Sequence, residues 1–143
     1  MPVAIKRVYE AVSRADGTRV LVDRLWPRGL RKTEAALHAW LRDLAPSNEL
    51  RKWFHARPQQ QAAFRRKYLK ELTCPEAEKD LQQLYSLAHK KKLLTLLYAS
   101  KNEKYNNAVV LKELLDGMRK PPTGTGPGGI RSARTRDAAV RRR

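Results

Sequence analysis

The sequence predicts a small α/β sandwich: a short mixed or parallel sheet flanked by helices, followed by a disordered basic tail. Three observations carry that expectation. The first is a six-residue apolar run, Leu93-Leu94-Thr95-Leu96-Leu97-Tyr98, bounded by polar residues. At six residues it fits a strand buried on both faces better than a helix. The second is helical spacing of apolar residues on either side of it. The third is a sharp change of composition after Arg119.

The elements follow in order. Val3 and Ile5, with Val8 beyond them, alternate with Ala4, Lys6 and Arg7 as a half-buried strand does. Asp16-Gly17 is a turn dipeptide, and Arg19-Val20-Leu21-Val22 reads as a second strand. Leu37, Trp40, Leu41 and Leu44 fall at i, i+3, i+4 and i+7, which predicts an amphipathic helix closed by Pro46. Ser47 is placed to cap a short helix bearing Leu50, Trp53 and Phe54. Pro58 suits the first turn of the next helix, where Phe64, Tyr68 and Leu72 recur every four residues. Pro75 opens another, with Glu76 and Glu78 where the helix dipole favours acids. Its predicted inner face is Ala77, Leu81, Leu84, Tyr85 and Ala88. After the buried strand, Ala108, Leu111, Leu114, Leu115 and Met118 form the apolar side of a last helix.

This predicts one domain over residues 1–118 and a tail over 119–143. The chain carries 31 basic and 14 acidic residues, a net charge of +17, which points to anionic partners or substrates. The tail holds eight basic residues and one acid, leaving +10 on residues 1–118. Its Pro, Gly and Arg content offers no apolar mass to offset the entropy of ordering, so disorder is expected. Gly124, Gly126 and Gly129 spell G-x-G-x-x-G, but no predicted strand precedes them and no helix follows, so no dinucleotide site is read there.

Several function classes fall away. The single cysteine, Cys74, excludes an internal disulfide framework and a multi-cysteine zinc site. His38, His55 and His89 lack metal-ligand spacing, so neither a metal nor a cofactor is expected. No apolar stretch is long enough to span a bilayer, so a cytoplasmic protein without a membrane partner is expected. There is no P-loop, no G-x-S-x-G and no H-E-x-x-H.

Two segments remain as a candidate site: Asp23-Arg24-Leu25-Trp26-Pro27-Arg28-Gly29 after the second strand, and Tyr98 to Ala108 after the buried strand. Ligands of open α/β sheets sit outside the carboxyl ends of strands, so parallel strands would bring both segments to one crevice. Arg24 and Arg28 offer donor forks that fit phosphate or carboxylate, and Lys101 adds a point charge. Asn106 or Asn107 can cap the last helix. Trp26 and Tyr98 present flat faces for a ring. Asp23 is expected to stay ionised and pair with the arginines, with Gly29 completing the loop. The alternative is structural, with Asp23 and Arg24 paired with each other or with the sheet edge, Trp26 and Pro27 in the core and the asparagines as plain caps. Arg51, Lys52, Trp53 and Phe54 read as a helix with an apolar face and a solvated one.

"RVLVDRLWPRG", "LAPSNELRKWF" and "LLYASKNEKYNNAVVL" together resemble the signature blocks of the YeaO-like family of bacterial domains of unknown function, over roughly residues 5 to 116. The resemblance implies a small cytoplasmic α/β domain with no established activity. It extends to Asp23, Arg24, Trp26, Pro27, Arg28, Gly29, Lys101 and Asn106, while many members carry His where this chain has Asn107. The expected function is therefore binding of a small phosphate- or carboxylate-bearing ligand between the two loops. Two alternatives stand beside it. One is non-specific nucleic-acid association through the basic body and Arg131, Arg134, Arg136, Arg141, Arg142 and Arg143. The other is a non-enzymatic, stress-related interaction module.

Overall fold

The computed structural model describes residues 3–90 and 93–118. Four strands, β1 (Val3–Arg7), β2 (Thr18–Leu21), β3 (Ala39–Trp40) and β4 (Leu94–Tyr98), form one sheet in the order β1-β4-β2-β3. All three pairings are parallel, with Ile5 beside Leu96, Val20 beside Leu96, and Val20 beside Ala39. The sheet is therefore purely parallel. β4 lies between β1 and β2, and all five of its residues are buried, as its unbroken apolar run requires.

The helices are α1 (Lys32–Ala35), α2 (Asn48–Ala56), α3 (Gln61–Glu71), α4 (Pro75–Lys90) and α5 (Asn107–Gly117). Side chains alternate across the sheet. Val20, Leu96 and Tyr98 share the main core with Leu50, Phe64, Tyr68, Leu81 and Leu111 from the helices. Leu21 and Leu97 face the other way, where Trp26, Leu30, Leu37 and Trp40 cover them. α2 begins at the predicted cap, with Ser47 Oγ accepting from Leu50 N at 3.1 Å. The expected inner face of α4 is buried throughout.

Two local expectations are corrected. Residues 37–44 do not form a helix. Ala39 and Trp40 pair with β2, and a 3-10 turn over Arg42–Leu44 follows. Leu37 and Trp40 serve the second core, whereas Leu41 and Leu44 serve the first. Helical spacing thus arose from a chain that crosses between two cores, and edge pairing overrode the local pattern. Pro58 lies in the turn before α3, which starts at Gln61.

The Asp16-Gly17 turn is confirmed, and its glycine is needed. Gly17 has φ 64°, and a Cβ there would lie 2.4 Å from the Leu93 carbonyl oxygen. Beneath this turn Asp16 forms ion pairs with Lys6 at 2.9 Å and with Arg19 at 2.6 Å. The tail, including its arginines, lies outside the described residues.

A candidate ligand-binding cleft at the carboxyl ends of the strands

Parallel pairing brings the carboxyl ends of the strands to one edge. There the segment after β2 meets the segment after β4. Val22 N still donates to Leu97 O at 3.1 Å, and then the two chains diverge. A cavity of about 720 Å³ opens between them.

Asp23 holds the junction together. Its Oδ2 accepts from Ala99 N at 2.8 Å, and its Oδ1 accepts from Asn107 Nδ2 at 3.2 Å. Its backbone carbonyl accepts from Trp40 Nε1 at 2.7 Å. One residue thus connects the loops after β2 and β4, the start of α5 and β3. The expected pairing of Asp23 with arginine does not occur. Arg24 instead donates from Nη2 to Ala45 O at 3.1 Å and from Nε to Pro46 O at 3.4 Å. Burial pushes the Asp23 carboxyl above its ordinary value of 3.8, against the opposing pull of Ala99 N–H, the Asn107 amide and the Arg51 charge.

The adjacent asparagines divide two tasks. Asn106 caps α5, its Oδ1 accepting from Val109 N at 3.1 Å while its Nδ2 donates to Asn102 O at 2.9 Å. Asn107 is the first residue of α5 and reaches back to the sheet, donating to Val22 O at 2.8 Å as well as to Asp23.

Arg28 and Lys101 are exposed on the cleft lining, and neither forms an ion pair among the described residues. The Arg28 carbonyl accepts from Tyr9 Oη at 2.8 Å, which ties the DRLWPRG loop to the turn after β1. Trp26 also lines the cleft, but its indole N–H donates to Leu30 O at 2.6 Å and its ring stands edge-on to Trp40 at 5.3 Å. It is largely a packing residue.

Seven of the nine residues expected from sequence therefore line the cavity: Asp23, Arg24, Trp26, Arg28, Lys101, Asn106 and Asn107. Gly29 and Tyr98 do not. Gly29 sits at φ 77° in the loop's turn, and Tyr98 is 3% exposed in the main core. Besides Trp26, the aromatic residues of the lining are Tyr9, Phe54, Phe64 and Tyr105. Phe54 stacks on Phe64 at 4.2 Å, and Tyr105 stands edge-on to both. Arg51, expected on the solvated face of its helix, is exposed and also borders the cleft from α2. Nothing in helical periodicity distinguishes a solvated face from one that borders a cavity.

Among the described residues, no group of three or more His, Cys, Asp or Glu side chains is placed to hold a metal ion. None of their helices is long and apolar enough to cross a membrane.

Fold and cleft together define a small parallel α/β domain whose strand-end loops, a braced aspartate and exposed cations surround one cavity. Its family model is that described as the inactive DUF488-N3 subclade, matched over residues 2–123. The uncharacterised protein YeaO of Escherichia coli (strain K12) is 47% identical over 118 residues, covering 82% of this chain and 100% of that protein. Uncharacterised proteins of Mycobacterium tuberculosis and Mycobacterium bovis are 38% identical over 115 residues, covering 80% of this chain and 94% of theirs. The chain belongs to this YeaO-like family. No solved structure matches it.

Proposed function

We propose that the protein binds a small anionic ligand, bearing phosphate or carboxylate, in the cleft between the DRLWPRG loop and the Tyr98–Ala108 segment. The observation that carries this reading is the charge of the lining. Arg24, Arg28, Arg51 and Lys101 face a single acid, Asp23. Arg24 is engaged with backbone carbonyls, so Arg28, Arg51 and Lys101 are the groups left to meet an anion. A cavity of about 720 Å³ falls in the range of small-molecule sites. The family's description as inactive favours binding over turnover. The test is thermal unfolding of the full chain with a panel of phosphates and carboxylates. A ligand of the native state raises the melting temperature by mass action, and Arg28→Ala or Lys101→Ala should reduce that rise. A panel that shifts nothing at millimolar concentration ends the reading.

A second reading, nucleic-acid association, is favoured by one specific observation. Residues 51–70, spanning most of α2 and α3, carry seven Arg or Lys and no acid. Arg51, Lys52, Arg57, Arg66, Lys67 and Lys70 are all exposed there. Arg57 and Lys67 lie over the Trp53 ring at 5.2 and 5.0 Å. Such a surface meets a phosphate backbone without reading base edges. The arginines of the tail would add to it.

A further inference from the structure

We infer that the ligand of this cleft is a polyhydroxy anion, its charged group held by Arg28, Arg51 and Lys101 and its hydroxyls donating to Asp23. The inference rests on the proposed anion site and names the other half of the molecule that fills it.

Asp23 is the anomaly in a cationic cleft. It is half-buried, it is the only acid on the lining, and it takes part in none of the described ion pairs. Bracing the two loops takes one acceptor site on each oxygen, for Ala99 N–H and for Asn107 Nδ2. A carboxylate has room for about four donors, and only Ala99 N and Asn107 Nδ2 are recorded. Acceptor capacity is therefore left on both oxygens of a group that borders the cavity.

The charge of the surroundings selects the donor. A phosphate or carboxylate cannot lie against Asp23, because like charges repel there. An ammonium would meet Arg24 and Arg51 on the same lining. A hydroxyl donates to the carboxylate without adding charge of either sign. Room is not limiting: about 720 Å³ is many times the roughly 30 Å³ share of one water molecule, so the cavity holds a body as well as an anionic head.

The acceptor is also held in place before any ligand arrives. Asn107 is anchored through the Val22 carbonyl and fixes one oxygen of Asp23, while Ala99 fixes the other. Preorganisation of this kind lowers the entropy lost on binding.

Calorimetry on the full chain with three probes tests the inference: inorganic phosphate, n-butyl phosphate, and erythritol 4-phosphate. The last two share a four-carbon skeleton and differ in hydroxyls. We expect erythritol phosphate to bind at least about tenfold more tightly than butyl phosphate, the factor that one charge-assisted hydrogen bond supplies. Asp23→Ala should reduce that ratio to about twofold or less. Equal affinities of the two four-carbon phosphates for the unsubstituted protein would overturn the inference and leave the anion site standing. That comparison needs no variant, so it decides even if Asp23→Ala does not fold. A ratio that survives Asp23→Ala would also overturn it, because the hydroxyls would then be read elsewhere. If none of the three probes binds, the anion site fails and this inference fails with it.

Discussion

Asn107 Nδ2 reaches across 85 residues of sequence to the Val22 carbonyl, at 2.8 Å, and the same nitrogen lies 3.2 Å from Asp23 Oδ1. The first residue of the last helix is thereby fastened to the end of a central strand. The cleft exists because this fastening and the Asp23–Ala99 bond hold two loops at a fixed separation. Its neighbour Asn106 does only local work, closing the helix it precedes.

That division predicts unequal costs. Asn107→Ala leaves the Val22 carbonyl without its side-chain donor, and an unsatisfied buried acceptor costs about 1–3 kcal/mol. Asn106→Ala removes an N-cap, which costs about 1 kcal/mol. Urea denaturation of both variants measures the pair. An Asn107→Ala protein as stable as the parent would show that the fastening does not support the fold.

Asp23 should destabilise the fold as it ionises. Its folded value lies above the ordinary 3.8, chiefly through burial, so the native state holds the proton more tightly than the unfolded chain. The associated stability is full below 3.8 and is lost as pH rises through the folded value. Asp23→Asn has no such loss. The melting-temperature difference, variant minus parent, should therefore move in the variant's favour as pH climbs from 3.8 toward neutrality. Glu78 and Asp80, also raised by burial, cancel in that difference. A difference that stays flat with pH counts against a perturbed Asp23.

Asp16 runs in the opposite sense. Burial pushes its carboxyl up, but Lys6, the Ser13 N–H and Arg19 outweigh that and hold it below 3.8. Its contribution is present above 3.8 and lost as pH falls through the folded value. Arg19 is 4% exposed and also donates twice to the Ala35 carbonyl, at 2.9 and 3.1 Å. Arg19→Met removes one side of this buried pair and should cost about 3–5 kcal/mol. Chemical denaturation at pH 7 gives the figure, and a loss under 1 kcal/mol would mean that Lys6 alone satisfies Asp16.

Gly17→Ala combines a positive φ with a Cβ only 2.4 Å from the Leu93 carbonyl oxygen. That atom belongs to the backbone entering β4, and it already accepts from Thr18 N at 3.0 Å. The strand pairing must shift to make room. We expect a loss of about 2 kcal/mol or more, with amide exchange of Thr18 accelerated. Retention of the parent's melting temperature would show that the turn yields freely.

Much of this was legible in the sequence because single elements obey a single rule. The apolar run of β4 fits a buried strand better than a helix at its length, and Ser47 and Pro75 mark helix starts. The two loops fell at strand ends, where parallel topology had to bring them together. The failures share a cause in tertiary context. Residues 37–44 carry helical spacing because they serve two cores in succession. Asp23 and Arg24 are adjacent and opposite in charge, yet the backbone turns them to different partners, Ala99 N and the Ala45 carbonyl. Arg51 and Phe54 border the cleft because α2 passes its rim, a placement that no pattern within α2 records.

The acid-free surface of α2 and α3 carries the last prediction. Arg65 is paired with Glu113 at 3.2 Å, so it is the neighbouring Arg66, Lys67 and Lys70 that are exposed without an ion pair among the described residues. If nucleic acid lies against this face, each phosphate contact adds about 0.7–0.9 to the slope of log affinity against log salt, the lower value for single strands. Replacing these three residues with Gln should therefore reduce the slope by about 2 to 3, weaken binding alike for unrelated sequences, and leave the fold intact because none of the three is buried. Fluorescence anisotropy with a labelled single-stranded oligonucleotide from low to moderate salt reads the slope directly. An unchanged slope would place the contacts elsewhere on the chain, and a preference for one sequence would show base-edge contacts that this face does not offer.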